Sequence, residues 1–343
     1  MRRASKDPGV LRRLPKVEVH VHLDGALRPS LALELARQQA SPLAAKTEEE
    51  ISRLVVVSKS KGSLKEVLDV FFILYPILKT PQAIERTAYE LCRDAKANGI
   101  LYFETRFAPL LLQTKRYSME DMLEAAIGGL RLGSQDFGVG SGVIVTMLRD
   151  HSMRGNEAMC AAAIGFKDRG VVGLDLANHE AVSSLLDYAD FYKEAKRQGL
   201  GTTAHVGEIY PSPDLAVALD LNIDRIGHGV FLPKYPDLLQ EVAQRKIPIE
   251  ISLTSNLRTA AVRSYREHPL AQFLEQGIPV VLNTDDPGVF GIDLTHEYEV
   301  AAKEVGLNFL ELKRLAAGGI DALFLPEEKK KILRRRFEAS LAA

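Results

Sequence analysis

Cysteine is almost missing from this chain: Cys92 and Cys160 are the only two in 343 residues, and both fall in stretches with helical spacing. That excludes a disulfide framework and a thiolate metal site, and it fits a reducing compartment. Charge of one sign is missing as well. Forty-four basic residues against 45 acidic ones give a formal net charge of -1, so no electrostatic footprint points to nucleic acid or to an anionic membrane. No segment approaches about 18 unbroken apolar residues, and the basic N-terminal MRRASKDPGVLRR has no apolar run behind it long enough for a signal peptide. Repeats, low-complexity blocks and Pro/Gly/Ser linkers are also lacking, which argues against a second independent domain. The chain is therefore expected to be cytoplasmic, a monomer or small homo-oligomer without nucleic-acid or membrane partners. Residues 1–13 are expected to form a loose tail and residues 14–343 a single domain. With 46% hydrophobic and 26% charged residues that domain can bury a large core, and small-molecule chemistry is the default function.

What is present is a recurring pattern of elements. Apolar or alternating runs of strand length occur at 17–23, 101–109, 139–148, 171–177, 201–207, 225–230, 247–255 and 279–285. Segments with helical spacing separate them. Ser212 and Pro213 look like the start of a helix over DLAVALDL, Pro269 opens LAQFLEQ, and Gly199 and Gly277 sit just past helix ends. Eight β-then-α units predict a TIM-type (β/α)8 barrel. A doubly wound open sheet is the alternative, but the Gly-rich phosphate turn after the first strand is absent. Extra helices are inserted after the first strand, from Ala26 to Asn98. Among them SLKEVLDVFFILYPIL puts Leu64, Val67, Leu68, Phe71 and Tyr75 on one stripe, placed to act as a lid over the barrel mouth or to pack on its side.

The first strand, VEVHVHL followed by DG, has one apolar face and one face carrying Glu18, His20, His22 and Asp24. A half-solvated antiparallel strand would show the same alternation. Distant residues favour another meaning: His205 ends the fifth predicted strand, His228 the sixth, and Asp285 and Asp286 the eighth. In a barrel these ends converge on one face. Imidazole and carboxylate donors suit a borderline divalent cation, with zinc leading and iron, cobalt or manganese possible. His20, His22, His205 and Asp285 are the proposed ligands of one metal; VVGLDLANHE offers no lysine to bridge a second. Glu208, three residues past His205 in HVGE, is placed as a proton carrier or as a helix-start acid. His228, between two glycines, either supports the attacking hydroxide or is a fifth ligand. His151, His268 and His296 have no evident role. Glu104, Arg106, Ser252, Thr254 and Asn256 each occupy the polar face of a strand and are expected to form a buried shell that holds the ligands.

Taken together, HVHLDGAL, HVGE, RIGHGV, SLTSN and LNTDDPGVF, in this order and spacing, resemble the adenosine deaminase family of metal-dependent amidohydrolases. The resemblance runs from Leu14 to the last helices. It implies one Zn2+ per chain and hydrolytic deamination of a purine nucleoside, adenosine or 2'-deoxyadenosine, to inosine or its 2'-deoxy form and ammonia, as in purine salvage. By the same similarity, hydroxide attacks purine C6 while Glu208 protonates N1, His228 and Asp285 position and help activate the water, and Asp286 binds N7. His22, besides ligating the metal, borders the substrate. Asp24 matches the family's ribose-hydroxyl contact, where relatives acting on free adenine tend to carry HLEG.

This chain departs from the family at two places. Asn178 stands where the family usually has a glycine whose backbone N–H meets purine N3, and Val67 stands where close relatives often have Phe. Both bear on substrate range. The alternatives keep the chemistry and change the substrate to aminofutalosine, adenine or an N6-substituted adenine nucleotide. More distant readings are a non-catalytic purine-binding relative, against which all motif residues are present, and ester or cyclic-amide hydrolysis, which does not explain HVGE and TDDP together.

Overall fold

The structure, a computed structural model, describes residues 7–342. Its centre is a ring of eight strands in sequence order: β1 (Lys16–His22), β2 (Ile100–Phe107), β3 (Gly140–Leu148), β4 (Val171–Ala177), β5 (Gly201–Val206), β6 (Arg225–His228), β7 (Ile249–Ile251) and β8 (Val280–Leu282). All successive pairs are parallel. A parallel bridge between Val21 and Asp285 joins the last strand's end to the first. There the His22 N–H donates to Asp285 O at 2.7 Å and the Asp285 N–H to His20 O at 3.1 Å. This closure is a (β/α)8 barrel and excludes the open sheet.

A barrel strand has no solvent face. Val17, Val19 and Val21 are buried on one side of β1, and Glu18 and His20 are buried on the other. The second side points into the barrel, whose lower interior is built of paired charge. Arg225 meets Glu104 at 2.5 Å and Glu250 at 2.6 Å, and Arg106 meets Glu250 at 2.8 Å and Asp175 at 3.1 Å. Every member has an opposite partner, which offsets the desolvation cost; deleting one would strand a buried charge at about 3–5 kcal/mol.

The N-terminal expectation needs correction. Residues 1–6 lie outside the described residues, but Pro8–Arg13 form a helix, α1, capped by the Asp7 side chain. Leu11 is fully buried and Arg12 pairs with Asp293 at 2.9 Å, so this part of residues 1–13 is docked rather than loose. Between β1 and β2 come α2 (Pro29–Gln38), α3 (Glu48–Val55), α4 (Leu64–Leu68), α5 (Phe71–Leu78) and α6 (Pro81–Ala97). The stretch read as one helix is therefore two, with tighter bonds from Val70 N–H to Val67 O and from Ile73 N–H to Val70 O across the junction. No single helix among the described residues is long and apolar enough to cross a membrane.

Two other local readings change. The seventh strand is three residues long; from Leu253 to Arg258 the chain is helical, with the Thr254 N–H taken by the buried Glu297 carboxylate. SLTSN therefore coils instead of alternating, and Ser252, Thr254 and Asn256 do not share a strand face. Ser212 does not cap a helix: its hydroxyl donates to Glu180, and the helix runs from Asp214 to Asp220.

Candidate active site

The residues singled out at the strand ends meet at one mouth of the barrel. His20 and His22 finish β1, His205 lies at the end of β5, His228 closes β6, and Asp285 follows β8. His228 (φ +64°), Asp285 (φ +64°) and Asn178 (φ +75°) all adopt the left-handed backbone region. This is uncommon for residues with a Cβ and is held only where surrounding contacts over-determine it, as sites commonly do.

His20, His205, His228 and Asp285 each offer a donor atom within 4.8 Å of the others. His22 joins them: its Nε2 lies 3.2 Å from His205 Nε2 and 3.3 Å from Asp285 Oδ1, while His20 Nε2 is 3.1 Å from the same oxygen. Donors bound at about 2.0–2.1 Å to one tetrahedral ion lie about 3.3 Å apart, so these spacings fit a common cation. The outer contacts agree. His20 Nδ1 sits 2.7 Å from Glu250 and His205 Nδ1 3.2 Å from Asp175, which puts the ring protons outside and the Nε2 lone pairs inside. Buried His20 Nε2 makes no hydrogen bond. Ser255 Oγ donates to Asp285 Oδ2 at 2.7 Å and leaves Oδ1 facing the histidines.

Beside this cluster lie three buried acids. Burial first, then the nearby Asp285 and Glu180 carboxylates, push Glu208 up to about 8, so it holds a proton at neutral pH. Its Oε2 is 3.7 Å from His228 Nε2. Asp286 is raised well above the usual carboxylate range by burial, Asp285 and Asp24, and Asp24 is raised by burial. Both Asp24 and Asp286 keep a buried Oδ1 with no partner, free to meet a bound molecule.

The acids open into a cavity of about 630 Å³, its mouth included, whose outer wall is the stripe Leu64, Val67, Leu68, Phe71 and Tyr75 from α4 and α5. The stripe read from the sequence is thus a lid over the mouth. Among the described residues, no lysine or arginine lines the cavity. Asn178 stands at the rim with its amide turned aside, Nδ2 donating to Asp150 at 2.7 Å, so beyond the Cβ its side chain is directed to Asp150.

A family model described as adenosine deaminase matches residues 15–339. The chain belongs to the adenosine deaminase family. It is 33% identical over 325 residues to the adenosine deaminase of Clostridium perfringens, covering 94% of this chain and 98% of that one. Among solved structures it resembles the N6-methyl-AMP deaminase of Arabidopsis thaliana (TM-score 0.86, 29% identity, 97% and 98% coverage). It also resembles the adenine deaminase of Arthrobacter aurescens (TM-score 0.85, 26% identity, 96% and 99% coverage). This adenosine deaminase family member is accordingly an aminohydrolase of a metal-dependent kind.

Several contributors carry no signal in their own motif. Asp175 and Glu250 lie on strands and could have been picked out by their inward parity; of the proposed shell, Arg106 bonds both. Ser252 Oγ has no partner, and Thr254 Oγ1 meets Tyr265. Glu180 is the main omission: its carboxylate accepts the N–H groups of Gly207 at 3.0 Å, Glu208 at 2.8 Å and Ile209 at 3.0 Å. It thereby fixes the turn that carries Glu208.

Proposed function

We propose that the protein deaminates adenosine and 2'-deoxyadenosine, with His20, His22, His205 and Asp285 holding one Zn2+. The observation that carries the substrate class is the pairing of two buried carboxyls whose Oδ1 atoms lack partners, Asp24 and Asp286, with a cavity wall that has no lysine or arginine among the described residues. A nucleoside supplies a ribose hydroxyl to donate to Asp24 and purine N7 to accept from protonated Asp286. A nucleotide would place a phosphate where no cation receives it, and free adenine would leave Asp24 unmatched.

A divalent cation held by His20, His22, His205 and Asp285 would supply Lewis acidity, bringing the pKa of a water beside it toward neutrality. The chain's own residues do the rest. Asp285 accepts a proton from the water, and His228 holds the attacking oxygen. Protonated Glu208 donates to N1 as oxygen bonds to C6, so the ring gains a tetrahedral carbon. The amino group then takes the proton held by Asp285, the C6 hydroxyl returns its proton to Glu208, and ammonia leaves as the C6–N bond breaks and the C6 carbonyl of inosine forms. The lid stripe covers the purine and excludes bulk water.

Residues 14–343, with α1 docked against them, act as one domain in this reading. The buried free thiols Cys92 and Cys160 suit cytoplasmic reducing conditions. The deciding experiment follows absorbance with purified protein on adenosine, adenine and N6-methyl-AMP, with and without a chelator. Metal-dependent turnover of adenosine is expected; turnover of adenine or N6-methyl-AMP with none of adenosine overturns the substrate assignment.

A further inference from the structure

His268 lies outside the substrate cavity, yet it is buried and ends a chain of hydrogen bonds leading to His228. The chain begins at a group whose direction is fixed. The backbone N–H of Leu270 meets His268 Nδ1 at 3.2 Å, and an amide N–H only donates, so this nitrogen holds a lone pair. A ring with a lone pair on Nδ1 carries its proton on Nε2. That nitrogen is 3.1 Å from Asn256 Oδ1 and donates to it. The contact sets the amide's orientation and turns Nδ2 toward His228 Nδ1 at 3.1 Å. Nδ2 again only donates. His228 Nδ1 is therefore an acceptor, and its Nε2, on the Glu208 side, carries the proton.

This is the opposite tautomer from its neighbours. The Nδ1 atoms of His20 and His205 face the carboxylates of Glu250 and Asp175, which leaves Nε2 lone pairs for a cation. One cluster thus holds two kinds of imidazole, distinguished by what stands behind each ring.

We propose that His268 is a positioning residue: acting through Asn256, it locks His228 in the Nε2–H tautomer, so that His228 presents a donor to the reacting oxygen and is withheld from the metal-ligand set. Only the identity of what His228 acts on rests on the functional reading above; the lock can be read without turnover.

The test uses metal-loaded protein with 15N-labelled histidine. Long-range 1H–15N correlation separates Nε2–H from Nδ1–H rings, and difference spectra of His228→Gln and His268→Gln assign the two signals. In the unsubstituted protein both rings are expected as Nε2–H; Nδ1–H at either overturns the lock, whether or not the Asn256 variant folds. Asn256→Asp gives both rings an acceptor and should turn His228 to Nδ1–H, with kcat falling roughly 10- to 100-fold while KM stays within about twofold. His268→Leu frees the amide to invert and should leave His228 a mixture, while His268→Gln, which restores an N–H toward Asn256, should recover most of the lost kcat. A His228 that keeps Nε2–H in Asn256→Asp, or a Gln variant no better than Leu, contradicts the relay. An intact lock in a protein inert toward adenosine would instead sink the functional reading and leave the lock standing.

Discussion

Glu180 Oε1 accepts the backbone N–H of Glu208 at 2.8 Å, so one acid aims the other. The same carboxylate also gathers the N–H groups of Gly207 and Ile209 and the Ser212 hydroxyl. In Glu180→Gln an amide N–H2 replaces one oxygen and faces donors it cannot accept from. Stability is expected to fall by about 1–3 kcal/mol in urea unfolding, and kcat by up to about 100-fold as Glu208 loses its aim. A variant less stable but fully active would show that the turn holds without this clamp.

Glu208 itself is held protonated near neutrality by burial and the neighbouring carboxylates. Glu208→Gln keeps the shape and removes the transferable proton, so kcat should drop by about 10²- to 10⁴-fold. Metal content, measured by atomic absorption, should not change. Undiminished turnover would remove Glu208 from the proton path.

Gly25 is required by its neighbour. A Cβ there would lie 1.8 Å from Asp286 Oδ1 and 2.8 Å from Asp286 Cβ, closer than atoms approach, so Gly25→Ala must displace the carboxyl proposed to meet purine N7. We expect kcat/KM for adenosine to fall by about tenfold or more in steady-state assays, with the lid and barrel unchanged in the far-ultraviolet spectrum. Unaltered kinetics would mean that Asp286 does not touch substrate.

Ser255 is tied to the histidine–aspartate cluster through Asp285 Oδ2. Ser255→Ala should weaken metal affinity by roughly 10- to 100-fold, measured by competition with a chromogenic chelator. Affinity equal to that of the unsubstituted protein would show that the closure of β8 on β1 orients Asp285 unaided.

Glu297, buried against the Thr254 N–H, is raised to about 7, mainly by burial. Its folded value lies above the ordinary 4.5, so between those pH values the native state holds a proton that the unfolded chain has released. Its contribution to stability is therefore full below about 4.5 and is lost as pH rises toward 7. Relative to the unsubstituted protein, Glu297→Gln should gain up to about 3 kcal/mol between pH 5 and pH 8, read by denaturant titration at each pH. A pH-independent difference would rule out this proton uptake.

The strand period and the spacing of HVHLDG, HVGE, GHG and TDDP were enough to place the barrel and to bring His20, His22, His205, His228, Glu208 and Asp285 to one mouth, because barrel strands present their ends to a common face. The lid stripe was legible for the same reason: helical periodicity is local. The coil after β7, the docked α1, the clamp from Glu180 and the relay from Leu270 through His268 and Asn256 to His228 were not. Each depends on which donor faces which acceptor across the barrel or between loops, and that direction is absent from residue order. Sequence alone determined which chemical groups gather at the barrel mouth; tertiary structure decided their protons and lone pairs, because hydrogen-bond direction is fixed by the partner standing behind each ring.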